Sequence, residues 1–200
     1  MNVVAGRPGS LGTRERLLAA ARELIEEGGY GSASVVAIAH RTGVAAATLY
    51  RHFPSKEELF IEVFREVCAG EERAMATAAD EAGSGAVARL EAILATFARR
   101  ALRNPRLAWA LLAEPVDPLV DAERLEYRRR YAEVIERELR AAVAAGEIPG
   151  QDVAFTAAAL VGGCGEALVG PLSAVAGARP EPVEVVESIR AFVRRAVGAA

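Results

Sequence analysis

Residues 34–56, SVVAIAHRTGVAAATLYRHFPSK, carry the signal that sets the fold class. The stretch predicts two short helices joined by a tight turn, followed at once by the start of a third. Ser34 is placed to cap the first helix, Ile38 and Ala39 mark its inward side, and Gly43 stands where the chain must turn with a positive φ. Val44 restarts the apolar pattern and Leu49 comes round to the buried side, which leaves Ala46, Ala47, Thr48 and Tyr50 facing outward. Small side chains followed by a hydroxyl and a phenol suit a helix lying in a DNA major groove. Short groups are needed where the helix comes closest, and hydrogen-bonding ones where it meets phosphates and base edges. This is a helix-turn-helix pattern with Ala45 to Tyr50 as the recognition helix.

Around that core the pairs Gly29-Tyr30, Ile38-Ala39 and Gly43-Val44, the run Thr48-Leu49-Tyr50-Arg51-His52-Phe53 and the run Ser55-Lys56-Glu57-Glu58-Leu59 keep a fixed order and spacing. Together they resemble the DNA-binding domain of TetR-type transcriptional regulators, from about Thr13 to Phe60. The resemblance implies an all-α homodimer of about nine helices: a three-helix DNA-binding domain over residues 1–54 and a ligand-sensing and dimerising domain over 55–200. It further implies a regulator of double-stranded DNA, most often a repressor, released from a pseudo-palindromic operator by a small apolar effector. A transcriptional activator, or a helical interaction protein that has lost DNA binding, are the alternatives. Positions matching those that reach phosphates and base edges in relatives are Thr48, Tyr50, His52 and Lys56, with Ser34, Arg41 and Ala46 beside them. Many relatives carry a Ser-Lys pair after the Gly-Val, where this chain has Ala45 and Ala46. The substitution removes a capping hydroxyl and a phosphate-seeking amine, so sequence preference or affinity is expected to differ.

Composition narrows the class without naming a function. Across 200 residues, 52% are hydrophobic and 26% charged, which fits a folded globular chain and not a disordered one. The net charge of −3 hides a mild asymmetry: residues 1–60 carry seven basic side chains against six acidic ones. Placement matters more than the sum, since Arg41, Arg51 and Lys56 fall inside the motif and Arg7 lies in a loose arm that could trail along a groove. Cys68 and Cys164 are far apart, with no CxxC and no His/Cys cluster, and read as reduced thiols. No metal site and no cofactor is expected. Met1 to Gly12 lacks the apolar core of a signal peptide, and a cytoplasmic location is expected. No nucleophile elbow, phosphate loop or metal cluster points to an enzyme.

Helical spacing continues to the end of the chain. Thr13 is expected to cap a first helix ended by Gly28-Gly29, and Ser55 with Glu58 forms a capping box for a long helix to about Asp80. Gly83-Ser84-Gly85 breaks the chain before a helix over Leu90 to Ala101, and Asn104-Pro105 opens a short one. A long helix from about Leu119 to Ala145 places Leu125, Ala132, Ile135, Leu139 and Val143 on one side. The aromatic residues Phe60, Phe64, Phe97, Trp109, Tyr127 and Tyr131 lie on helices that the resemblance places around an effector cavity, with Leu112 beside Trp109. Glu114, Asp117 and Asp121 beside several arginines read as solvated or salt-bridged, with a buried Arg128–Glu114 bridge as one candidate pair.

Residues 153 to about 175 are nearly all apolar and long enough for a bilayer span of about 20 residues. Glu166, Pro171 and the glycines at 162, 163, 165 and 170 argue instead for a helix buried between protomers, and no membrane is expected. Paired with a last helix from Val183 to Val197, it predicts a four-helix dimer seam with Leu160, Gly163, Leu168, Ile189, Phe192 and Val193 in it.

Overall fold

A computed structural model describes residues 12–173 and 180–199; the arm carrying Arg7 and positions 174–175 of the expected interface helix lie outside them. Helix α1 (Thr13–Gly28) starts where Glu15 turns its carboxylate back to accept the Gly12 N–H at 2.8 Å. Thr13, expected to cap it, is instead its first residue. The helix stops at Gly29, whose φ of 83° lies where an L side chain is strained. A 3-10 turn, Tyr30–Ser32, leads into α2 (Val35–Thr42), capped by Ser34 as expected: its Oγ accepts the Ala37 N–H at 3.1 Å. Gly43, with φ 69°, closes α2 by sending its N–H to His40 O while the Val44 N–H returns to Ala39 O. That closure fixes the angle at which α3 (Ala46–His52) leaves. Leu49 and Phe53, 0% and 1% exposed, anchor α3 in a cluster with Leu17, Ile25 and Ile38.

The long helix α4 (Lys56–Glu81) begins at Ser55, whose Oγ accepts the Glu58 N–H at 3.1 Å, so the Ser55 half of the capping box is present. Next come α5 (Ala86–Arg103), α6 (Pro105–Leu112), α7 (Pro118–Ala144), α8 (Val153–Leu172) and α9 (Pro182–Val197). Asn104, Asp117 and Asp152 cap α6, α7 and α8 with their side chains. The start of α5 is capped from a distance, because the Glu147 carboxylate accepts the N–H groups of Ala86 and Val87, both at 2.9 Å. Among the described residues there are nine α-helices and no strand.

Buried apolar side chains gather in two large groups. The first unites α1 to α4 and continues without a break into Leu107, Ala110 and Leu111 of α6 and Val120 and Tyr127 of α7. The second joins α5, α7, α8 and α9, and is laced by Arg194–Glu91 and Arg89–Glu138 contacts at 2.9 and 2.8 Å. Leu125, expected on the inward side of α7, is 59% exposed. Its neighbour Arg124 turns toward α6 to bond main-chain carbonyls there, which directs Leu125 outward.

Helix α8 resolves its all-round apolarity into two faces. Ala157, Leu160, Cys164, Leu168 and Leu172 point inward, while Gly162, Gly163, Glu166 and Phe155, the last 73% exposed, point out. By length and composition alone it could cross a membrane. Four of the six residues expected at a dimer seam, Leu160, Leu168, Ile189 and Val193, are at most 3% exposed within the single chain and belong to its own core. Residues at i and i+4 on α8 and α9 meet within the protomer first, which removes them from any partner's reach. Gly163 and Phe192 stay at the surface in contact, where a Cβ on Gly163 would lie 3.3 Å from the Phe192 ring.

Candidate functional site: an exposed helix face and a buried cavity

The outer face of α3 carries Ala45, Ala46 and Ala47, all exposed, then Thr48, half-buried, and Tyr50, 52% exposed. His52 is exposed at the end of the helix. Ala45 stands at the N-cap with no side-chain bond, so the first N–H groups of α3 stay open to an acceptor from outside. Ser34 is exposed on the neighbouring helix end, and its hydroxyl, though accepting from Ala37, still has a proton to donate. Val36, 76% exposed on the neighbouring α2, is an exposed apolar residue that the sequence pattern did not single out. Its departure from the inward Ile38 register was the available signal.

Two charged residues expected on this face are engaged elsewhere. Arg41 lies against α1 and donates from both terminal guanidinium nitrogens to the two Glu27 carboxylate oxygens, at 2.6 and 2.7 Å, with Glu23 at 3.6 Å. The same bond holds the Glu27 carboxyl below its ordinary range. Lys56 turns toward Tyr30: its Nζ donates to Tyr30 O at 3.2 Å and sits 3.9 Å over the Tyr30 ring. Burial there lowers the Lys56 pKa, with Glu57 and Glu114 opposing. The amine commits one of its three N–H donors there and brackets the start of α4 to the α1–α2 corner.

Behind this head lies a cavity of about 270 Å³ between α4, α5, α6, α7 and α8. Phe64, Phe97, Leu112, Tyr127 and Tyr131 line it, as expected from the sequence. Their rings form an arc with centroid separations of 5.3 Å for Phe64–Tyr127, 6.1 Å for Tyr127–Tyr131 and 6.0 Å for Phe97–Tyr131. Trp109 does not line it; one turn of α6 faces the cavity through Ala108, Leu111 and Leu112, and Trp109 packs on the second core group. Phe60 is likewise absent from the wall and meets the Tyr30 ring edge-on at 4.4 Å. Cys68, Met75 and Cys164 complete the apolar wall, and burial pushes the Cys68 thiol up to about 12 and the Cys164 thiol to about 11. Burial also raises the Tyr131 phenol, beside Cys68. These groups are neutral at physiological pH.

The polar part of the wall is cationic. Arg22, Arg100, Arg103, Arg124 and Arg128 line the cavity against a single carboxylate, Glu71, which pairs with Arg100 at 2.6 and 3.0 Å. Arg103 and Arg128, both solvent-exposed, have no ion-pair or hydrogen-bond partner among the described residues. Arg128 therefore makes no bridge to Glu114, whose carboxylate accepts the Tyr30 N–H at 2.9 Å. Single residues of each sign along α7 held no clue to which arginines point into the cavity.

Comparison with known proteins agrees with this geometry. The model for bacterial regulatory proteins of the tetR family matches residues 17–63, and that for the tetracyclin repressor-like C-terminal domain matches residues 83–168. The HTH-type transcriptional repressor KstR of Rhodococcus jostii RHA1 is 35% identical over 99 residues, which are 49% of this chain and 45% of KstR. The HTH-type transcriptional regulator UidR of Escherichia coli K12 is 44% identical over 64 residues, 32% of this chain and 31% of UidR. The chain thus spans less than half the length of these curated relatives. Among solved structures, FadR from Bacillus subtilis in complex with stearoyl-CoA superposes with a TM-score of 0.75 at 23% identity, covering 90% of this chain and 96% of that one. With the helix-turn-helix matched at one end and the cavity-bearing helices at the other, the chain belongs to the tetR family of bacterial regulatory proteins.

Proposed function

We propose that this protein is a homodimeric repressor that reads duplex DNA with α3 and lets go when an amphipathic anion with a long apolar part fills the cavity. The carrying observation is one helix with two duties: α4 starts directly behind α3 and its middle, through Phe64, Val67, Cys68, Glu71 and Met75, is cavity wall. Anything that displaces the middle of α4 also displaces the head. Residues 1–54 act as the DNA-reading head and 55–200 as the sensing and dimerising part. The face contacting DNA is Ser34, Ala46, Thr48, Tyr50 and His52. Two such faces related by a two-fold axis would read half-sites about 34 to 36 Å apart.

The effector class follows from the wall. Aromatic and aliphatic side chains accept an acyl chain, and the unpartnered guanidinium groups of Arg103 and Arg128 accept a carboxylate or phosphate. FadR, captured with stearoyl-CoA, points to the same class. The exposed faces of α8 and α9, with Phe155 and Phe192, supply the dimer contact.

Selection from a random duplex library, followed by fluorescence anisotropy, tests the reading. A preferred site is expected to bind at least about a thousandfold tighter than random duplex, and a Thr48→Ala, Tyr50→Ala double variant is expected to lose the preference. Stearoyl-CoA is expected to weaken the specific complex. Equal binding of all duplexes by the wild type removes the regulator reading.

A further inference from the structure

We propose that Arg124 and Glu114 are the positioning residues through which occupancy of the cavity reaches the DNA-reading head, an inference that rests on the regulator reading above. Arg124 stands in the cavity wall with its side chain 11% exposed. Its guanidinium donates to Leu111 O at 2.8 Å, Ala110 O at 3.3 Å and Glu114 O at 3.0 Å, and to Asp121 at 3.0 Å. Ala110 and Leu111 lie in the last turn of α6, where carbonyls lack an intrahelical partner. Arg124 supplies that partner and so fixes the end of α6 and the main chain of Glu114 together.

From there the Glu114 side chain reaches the head. Its carboxylate accepts the Tyr30 N–H at 2.9 Å, and it approaches so closely that a Cβ on Gly29 would lie 2.8 Å from Oε2. Tyr30 in turn accepts from Lys56 and packs on Phe60, both in the first turns of α4, immediately after α3. Cavity wall, α6 end, Tyr30 corner and α4 start are joined by direct contacts with no gap.

A guanidinium is all donor with five N–H groups, and three of those of Arg124 are committed to main-chain carbonyls, so an anion that takes any of these three withdraws it from the backbone. An anion in the cavity competes with Leu111 O and Glu114 O for Arg124. Once those carbonyls are released, the last turn of α6 moves, Glu114 leaves Tyr30, and the bracket at the start of α4 loosens. The head shifts only by as much as the anion prefers the released state.

Amide hydrogen exchange on the full chain tests the connection with no ligand present. Arg124→Gln makes no contact with Tyr30 yet is expected to speed exchange of the Tyr30 N–H by about tenfold, the effect of losing one hydrogen bond to a charged acceptor. Glu114→Ala is expected to do the same, and the double variant no more than either alone, because both cut one path. Glu114→Gln keeps an accepting oxygen and is expected to keep Tyr30 protected, a rescue that general destabilisation does not produce. An unchanged Tyr30 rate in Arg124→Gln, or effects that multiply in the double variant, overturns the proposal. With stearoyl-CoA as probe and a selected operator, the wild type is expected to lose DNA affinity. Glu114→Ala should still bind the probe but change its DNA affinity less than about twofold. An equal response in both overturns the relay; no response in the wild type refutes the effector class instead, and the exchange rates then decide the relay alone.

Discussion

Gly29→Ala is the perturbation that separates backbone strain from a displaced contact. At Gly29 φ is 83° and ψ −176°, a region essentially closed to other residues, which costs an alanine about 2 to 3 kcal/mol. The added Cβ would also sit 2.8 and 2.9 Å from the two Glu114 carboxylate oxygens, so the carboxylate must swing away and abandon the Tyr30 N–H. Losing a hydrogen bond to a charged acceptor adds about 1.5 to 3 kcal/mol, for a sum of about 3.5 to 6 kcal/mol. Gly43 provides the control: φ is 69° and nothing stands within 4 Å of its Cβ position, so alanine there meets left-handed strain alone, about 1 to 2 kcal/mol. Urea unfolding followed by circular dichroism measures both. Repeating Gly29→Ala in a Glu114→Ala background is expected to lower its cost to the strain part, because the contact is already gone. Equal costs for Gly29→Ala and Gly43→Ala, or an unchanged cost in the Glu114→Ala background, refute the reasoning.

Burial raises Cys68 from its ordinary 9.0 to about 12, so the folded state holds that proton more tightly than the unfolded chain. The resulting stability is whole below about pH 9 and is lost as pH climbs toward 12, so Tm is expected to fall across that window; a thiolate-selective disulfide reagent at pH 8 should label Cys68 and Cys164 only after urea is added, and prompt labelling of the native protein contradicts the buried placement. Phe155→Asp with Phe192→Asp puts charge on the exposed faces of α8 and α9, and sedimentation velocity is expected to show a folded monomer; a surviving dimer places the seam elsewhere. Glu27→Gln weakens the hold on Arg41, and the slope of log K against log salt for DNA binding should steepen by about one per head; an unaltered slope means that Arg41 does not reach phosphate.

Much of the head was legible in its letters. Ser34, Gly43, Leu49 and Ser55 took the roles their local chemistry assigns, since caps, corners and helical periodicity depend on neighbours within about four residues. The cavity was half legible. Phe64, Phe97, Tyr127 and Tyr131 line it, but Trp109 does not, because helical spacing marks an apolar stripe without saying which of two cores it meets.

The sequence by itself determined an all-helical chain with a helix-turn-helix near its start, because those features follow from periods of 3.6 residues and short-range hydrogen bonds. Only the tertiary structure decided where the flexible charged side chains end up: Lys56 on Tyr30, Glu114 on the Tyr30 N–H 84 positions away, and Glu147 on the start of α5. It alone also decided which side of α8 turns inward. A long polar side chain can satisfy itself with many partners, and a helix apolar on every side has no inward face until its neighbours are in place.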